Sequence, residues 1–85
     1  MKFMIGDYVR VHGHTPYSGI IGKVLTSSWR AWGCYISVEP PTLDLIKSKC
    51  WVHDCPSRLY FDEAVLELVS EETYREWLLA YELTN

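Results

Sequence analysis

The chain has 85 residues, of which 48% are hydrophobic and 22% charged. This length is enough for one small domain, and the composition is that of a globular protein rather than a disordered one. The longest unbroken apolar run, Trp77 to Tyr81, is far shorter than the roughly 20 residues of a membrane span. The N-terminal segment MKFMIGDYVR lacks the apolar core of a signal peptide. We therefore expect a single domain over residues 1–85, without a membrane, secretory or fibrous role.

The net charge of −3 is distributed unevenly along the chain. Residues 1–39 carry +2, residues 40–60 carry +1, and residues 61–85 carry −6. Proteins that bind duplex nucleic acid usually concentrate Lys and Arg on one face, because each phosphate contact neutralises charge. The positive charge here is too thinly spread for that class, so charge argues against a duplex partner.

The first half of the chain reads as three short strands. Residues 8–12 alternate apolar and polar side chains after the turn pair Gly6-Asp7, which is typical of a half-buried strand. Gly22 lies inside the second apolar run and indicates a bulge or a sharp bend. The predicted elements are a strand over 8–12, a loop over 13–19, a strand over 20–26, a turn over 27–33 and a strand over 34–39.

The second half begins with Pro40-Pro41, which cannot donate to a strand ladder and so ends the third strand. After it we predict a short helical turn over 42–48, a fourth strand over 49–53, a turn over 54–57 and a strand over 64–69. Several short strands joined by turns rich in glycine favour a small barrel, which closes the sheet edges that an open sheet leaves exposed.

A helix over 70–83 follows, with Ser70 as its N-cap and acids in its first turn, where the helix dipole favours them. The apolar residues Tyr74, Trp77, Leu78 and Tyr81 recur at helical spacing. This stripe predicts an amphipathic helix that docks on the barrel. The predicted fold is therefore mostly β, with a barrel of about five strands over 1–69 and a C-terminal helix.

The pattern Gly6-Asp7-x-Val9-Arg10-Val11, a loop and then Gly19-x-x-Gly22-x-Val24 resembles the opening hairpin of SH3-like barrels, including KOW-type modules. Residues 61–69 resemble the closing strand of the same barrels. The resemblance implies a barrel in which Gly22 permits close packing of strands. KOW-type modules bind RNA, ribosomes or proteins, and other small SH3-like barrels are non-catalytic subunits of larger assemblies.

Aromatic residues make up 14% of the chain, which is more than a small core needs. We expect Tyr74, Trp77 and Tyr81 to dock the helix, and Phe3, Tyr8 and Phe61 to fill the core. Trp, Tyr and Arg are enriched at interface hot spots, and aromatic rings also stack on unpaired bases. The remaining aromatic residues and one arginine form the predicted partner-binding set: Tyr17, Trp29, Arg30, Trp32, Tyr35, Trp51 and Tyr60.

Three cysteines and no signal peptide predict free thiols in a reducing compartment, hence a cytoplasmic protein. Cys50, His53 and Cys55 supply three zinc donors, and Cys34, His12 or His14 could supply a fourth. In a strand, however, Cys50 and His53 would point to opposite faces. The alternative is one buried cysteine, a surface histidine and a cysteine in a turn. We expect no metal and no other cofactor.

The chain contains no recognisable nucleophile motif and no phosphate-binding glycine loop, so we expect neither an enzyme nor a small-molecule substrate. The leading hypothesis is a protein-binding module: a small subunit, an adaptor or a phage-type inhibitor. The alternative is a KOW-like module for RNA or other single-stranded nucleic acid. In that module, contacts to the backbone of the nucleic acid would come from Arg10, Lys23, Arg30, Lys47, Lys49 and Arg58.

Overall fold

The structure is a computed structural model that describes residues 3–28, 32–49 and 56–84. It contains five strands, two α-helices and one 3₁₀ turn. In chain order these are β1 (Tyr8–Val11), β2 (Ile21–Ser28), β3 (Gly33–Ser37), α1 (Pro40–Lys49), β4 (Arg58–Asp62), the 3₁₀ turn (Glu63–Val65), β5 (Leu66–Val69) and α2 (Glu71–Thr84).

The five strands form one antiparallel sheet in the order β4-β3-β2-β1-β5. β2 belongs to both halves of this sheet: residues 21–23 pair with β1, and residues 24–28 pair with β3. The described strands do not close the sheet into a barrel, because β4 and β5 are its two edges. The prediction of a mostly-β fold is therefore confirmed, whereas the closed barrel is not.

The main core cluster lies on one face of the sheet, where every strand contributes at least one buried apolar side chain, while Ile21 of β2 and Ile46 of α1 are buried outside this cluster. Strand alternation explains the set, since neighbouring residues of a strand point to opposite faces. The core cluster consists of Phe3, Val9, Val11, Ile20, Val24, Cys34, Ile36, Phe61 and Leu66. Phe3 and Phe61 lie where the sequence predicts them, whereas Tyr8 is only half-buried and packs against α2.

In β2, Gly22 and the irregularity of the strand lie at different positions and have separate roles. The register shifts between Val24 and Thr26, so the irregularity falls near Leu25 and not at Gly22 as the sequence suggested. A Cβ added to Gly22 would lie 2.8 Å from the carbonyl oxygen of Ser37. Gly22 therefore allows β3 to approach β2 closely, as the resemblance implies.

The region between β3 and β4 differs most from the sequence prediction. Pro40 and Pro41 end the β3 ladder and also begin α1, because the first turn of a helix does not need their missing N–H groups. Lys49, assigned to a strand over 49–53, ends α1, and residues 50–53 lie outside the described part of the chain. Residues 64–69 divide into a 3₁₀ turn and β5.

α2 docks through the predicted aromatic stripe. The rings of Tyr74 and Tyr8 stack with centroids 4.5 Å apart, and Trp77 packs against the core cluster. The Tyr81 hydroxyl donates to Asp44 of α1. Ser70 caps the helix, since its Oγ accepts from the Thr73 amide at 3.1 Å. Neither described helix is long and apolar enough to cross a membrane.

Candidate functional site

The strongest candidate site is the face of β3 and β4 opposite the core. Tyr35 pairs with Tyr60, and Ser37 pairs with Arg58. Because Cys34, Ile36 and Phe61 point into the core, these intervening residues point outward. We call the group Trp32, Tyr35, Arg58 and Tyr60 the outer aromatic face.

Three side chains of this face contact one another. The rings of Tyr35 and Tyr60 meet edge to face, with centroids 5.2 Å apart and planes inclined by 64°. The Arg58 guanidinium carbon lies 4.5 Å from the centre of the Tyr35 ring, within cation–π range. These contacts leave Tyr35 half-buried and hold the rings in place without a bound partner.

Trp32 lies at the start of this face, with an exposed side chain and a strained backbone. Its side chain is 66% exposed, and its φ of 52° lies in the left-handed region. Among the described residues it alone combines a side chain with a positive φ. The Glu63 amide donates to the Trp32 carbonyl at 2.9 Å, which fixes the backbone against the end of β4. Packing within the described part of the domain does not account for an exposed indole on a strained backbone.

Gly33 provides the space in which Tyr60 lies. A Cβ at Gly33 would collide with the Tyr60 side chain and would lie 2.6 Å from the carbonyl oxygen of Phe61. The Tyr60 side chain can therefore lie against the backbone of β3 at Gly33. Burial, followed by the nearby Asp62 charge, raises the pKa of Tyr60 above its ordinary value.

The structure brings together three members of the predicted partner-binding set: Trp32, Tyr35 and Tyr60. It separates Tyr17 from them, because the Tyr17 ring packs against the core and meets Phe61 edge to face at 5.9 Å. Trp29, Arg30 and Trp51 lie outside the described residues. Tyr17 therefore lies on the opposite side of the sheet from Tyr60, and its part in binding stays a prediction.

The predicted zinc set is only partly described. Cys34 is completely buried within the core cluster, and burial raises the pKa of its thiol, so it stays protonated. A protonated, enclosed thiol is a poor metal ligand and a poor nucleophile. Cys50, His53 and Cys55 lie outside the described residues, within which no three candidate ligands form a cluster. His12 and His14 are exposed.

Sequence reasoning missed the contributions of Gly33 and Arg58 to this face. Residues 58–62 read Arg-Leu-Tyr-Phe-Asp, an alternation that predicts a strand with Arg58 and Tyr60 on one side. This alternation was visible in the sequence, but the sequence did not show which strand pairs with it. Comparison with protein-family models, with curated proteins and with solved structures gives no match for this chain.

Proposed function

We propose that this chain is a non-enzymatic protein-binding module whose contact surface is the outer aromatic face. The observation that carries the proposal is Trp32, which combines high exposure with a positive φ. Backbone strain of this kind persists where the surroundings hold it, and it clusters at ligand-binding sites. Exposed Trp, Tyr and Arg are also the residues that dominate interface energetics.

The chemistry of the face favours a protein segment with an apolar anchor. Trp32 and Tyr60 offer exposed apolar ring surface. Arg58 and Asp62 are at opposite ends of β4, so the strand carries both signs of charge rather than a single one. Such a surface suits a mixed apolar and polar partner, as in a subunit, an adaptor or an inhibitor that acts by covering its target.

A partly open SH3-like barrel is the architecture we propose for the sheet. Three features support it: β2 is shared by both halves, an irregularity near Leu25 permits a bend, and side chains of both halves fill one core. Bulges of this type increase strand twist and bend. In such an arrangement, the outer aromatic face lies on the convex outside of the β2-β3-β4 half.

The test is affinity capture from a lysate of the cells that produce the protein. The double variant Trp32→Gly with Tyr60→Ser removes the exposed ring surface. The matched control Leu68→Thr removes a side chain that is 64% exposed on β5. We expect wild type and control to retain the same partner, and the double variant to retain about tenfold less, as for a hot spot. Equal retention, or no partner specific to the wild type, would contradict the proposal.

Single-stranded nucleic acid is the alternative ligand, and two of the six cations predicted to contact it are already engaged within the described part of the chain. Arg10 is paired with Glu67 at 2.6 Å, and Arg58 lies over Tyr35. Fluorescence anisotropy of labelled single-stranded RNA at about 50 mM and about 200 mM salt separates the two classes. We expect no micromolar binding at either salt; micromolar binding that weakens steeply with salt would make nucleic acid the partner.

A further inference from the structure

α2 has a second surface that neither its docking nor the outer aromatic face uses. Glu72, Glu76, Leu79 and Leu83 follow one another at spacings of four, three and four residues, so they form one line along the helix. We call them the α2 outer stripe. It spans roughly 16 Å at the rise of an α-helix. The docking residues Tyr74, Trp77 and Tyr81 occupy the other side of the helix.

The stripe is open to solvent and divided into two halves. Leu79 is 53% exposed and Leu83 is 79% exposed. Glu72 and Glu76 are also exposed, and they border a shallow groove on the helix surface together with Leu79 and the paired Glu71 and Arg75. The half nearer the start of α2 is therefore acidic, and the half nearer its end is apolar.

Helix stability accounts for only part of this pattern. Glu71 and Glu72 suit the first turn, and Glu71 pairs with Arg75 at 2.8 Å. Glu76 lies beyond the first turn, and the structure gives it no ion pair within the described residues. Polar helix formers would serve at Leu79 and Leu83 without exposing apolar surface. Two exposed leucines in line with two acids are the residues that remain unexplained.

We propose that the α2 outer stripe docks a basic amphipathic helix of a partner protein. Leucine-type side chains of that helix contact Leu79 and Leu83, while Lys or Arg side chains meet Glu72 and Glu76. Charge complementarity favours this occupant, because α2 carries four glutamates and one arginine, and that arginine, Arg75, is already paired with Glu71. Leu79 and Leu83 lie in line on one face of α2. Amphipathic helices are commonly recognised through apolar side chains aligned in this way.

A second copy of the chain is a poor occupant of the same stripe. Two stripes packed in parallel would place Glu72 and Glu76 against their own copies, with like charges opposed. Packed antiparallel, they would place the glutamates against the leucines of the partner and desolvate the carboxylates. A heterologous basic helix avoids both penalties. The proposal does not depend on the outer aromatic face, so either surface can fail without the other.

The test is an NMR titration of the full ¹⁵N-labelled chain with a designed peptide of roughly 16 residues, long enough to form a helix on binding. One line of the peptide carries two leucines and two lysines, ordered to meet the α2 outer stripe. A second peptide has the same composition in scrambled order. We expect the ordered peptide to perturb amides of α2 and to bind about tenfold more tightly than the scrambled one.

Paired variants locate the contact. Leu79→Gln with Leu83→Gln should weaken the ordered peptide about tenfold, because both anchors are lost while helix formers remain. Met4→Gln with Leu68→Thr is the matched control, since those side chains are 73% and 64% exposed elsewhere. It should leave affinity unchanged. Equal binding of both peptides, equal loss in both variants, no binding, or self-association abolished by the Leu79/Leu83 variant would overturn the proposal.

Discussion

Tyr74 joins α2 to the sheet by a ring contact and a polar contact. Its ring stacks on Tyr8, and its hydroxyl hydrogen-bonds Glu39. Glu39 also accepts from the Ser37 hydroxyl at 2.7 Å, and Ser37 in turn accepts from the Lys23 amide at 2.9 Å. Burial, then the bond to Glu39 and the charge of that carboxylate, raise the pKa of Tyr74 to about 12.

This raised pKa makes stability depend on alkaline pH in a defined direction. Below the ordinary tyrosine pKa of 10, both the folded and the unfolded chain hold the Tyr74 proton, so its contribution is fully present. Between 10 and about 12 the unfolded chain releases that proton first. The unfolded state then binds fewer protons than the folded state, and stability decreases as pH rises.

Tyr74→Phe keeps the ring and removes the hydroxyl. We expect the variant to be less stable than wild type near neutral pH by about 1 kcal/mol, the usual contribution of one hydrogen bond. Its melting temperature should also decline less steeply than that of wild type between pH 10 and about 12. Circular dichroism melts at stepped pH measure both, with Tyr17→Phe as a control outside this network. An identical pH slope for Tyr74→Phe and wild type would refute the assignment.

Residue-level features were the hardest to anticipate from sequence. Tryptophan seldom adopts a positive φ, so nothing in the local sequence marks Trp32 as strained. The role of Gly33 depends on the Tyr60 side chain, which lies 27 positions further along the chain and is placed there only by the β3–β4 pairing. Such cross-strand relations need the register, which one sequence does not reveal.

At the scale of elements, the sequence predicted a helix or strand well where all the signals for it lie within that segment. The cap at Ser70, the acids after it and the aromatic stripe predicted α2 to within one residue at each end. The first three strands were also recovered with small shifts at their ends. The length of α1 was underestimated, because Pro40-Pro41 indicates the end of a strand as readily as the start of a helix.

Trp77 of α2 packs against the core cluster, although no residue of this helix is fully buried in the described part of the chain. Trp77→Ala removes the ring that packs against the core cluster. We expect a loss of about 2 kcal/mol in the free energy of unfolding, within the range for a large apolar side chain that is partly buried. Urea unfolding followed by circular dichroism measures it.

Leu79→Ala is the matched control on the solvent side of the same helix, where Leu79 is 53% exposed. We expect its free energy of unfolding to stay within about 0.5 kcal/mol of wild type, as for most surface substitutions. If Trp77→Ala and Leu79→Ala lost the same stability, the docking side assigned to α2 would be wrong.

For the whole molecule, the sheet order gathers residues that are far apart in sequence. Trp32 and Tyr35 come from β3 and its approach, whereas Arg58 and Tyr60 follow the α1 insertion. The sequence predicted the classes of side chain in the outer aromatic face, but it could not show that Tyr17 lies apart from them. Only the fold shows that Tyr17 and Phe61 share the core side while Tyr60 faces outward. The cytoplasmic location stays a prediction.

The central claim is that the Trp32 ring serves binding rather than folding, and one variant tests both halves of it. Trp32→Gly relieves the positive φ, which disfavours a side chain by roughly 1–2 kcal/mol, although glycine also makes the unfolded chain more flexible. We therefore expect a melting temperature equal to or above that of wild type, together with about tenfold weaker partner capture. Undiminished capture by a folded Trp32→Gly protein, or a melting temperature clearly below that of wild type, would contradict the account.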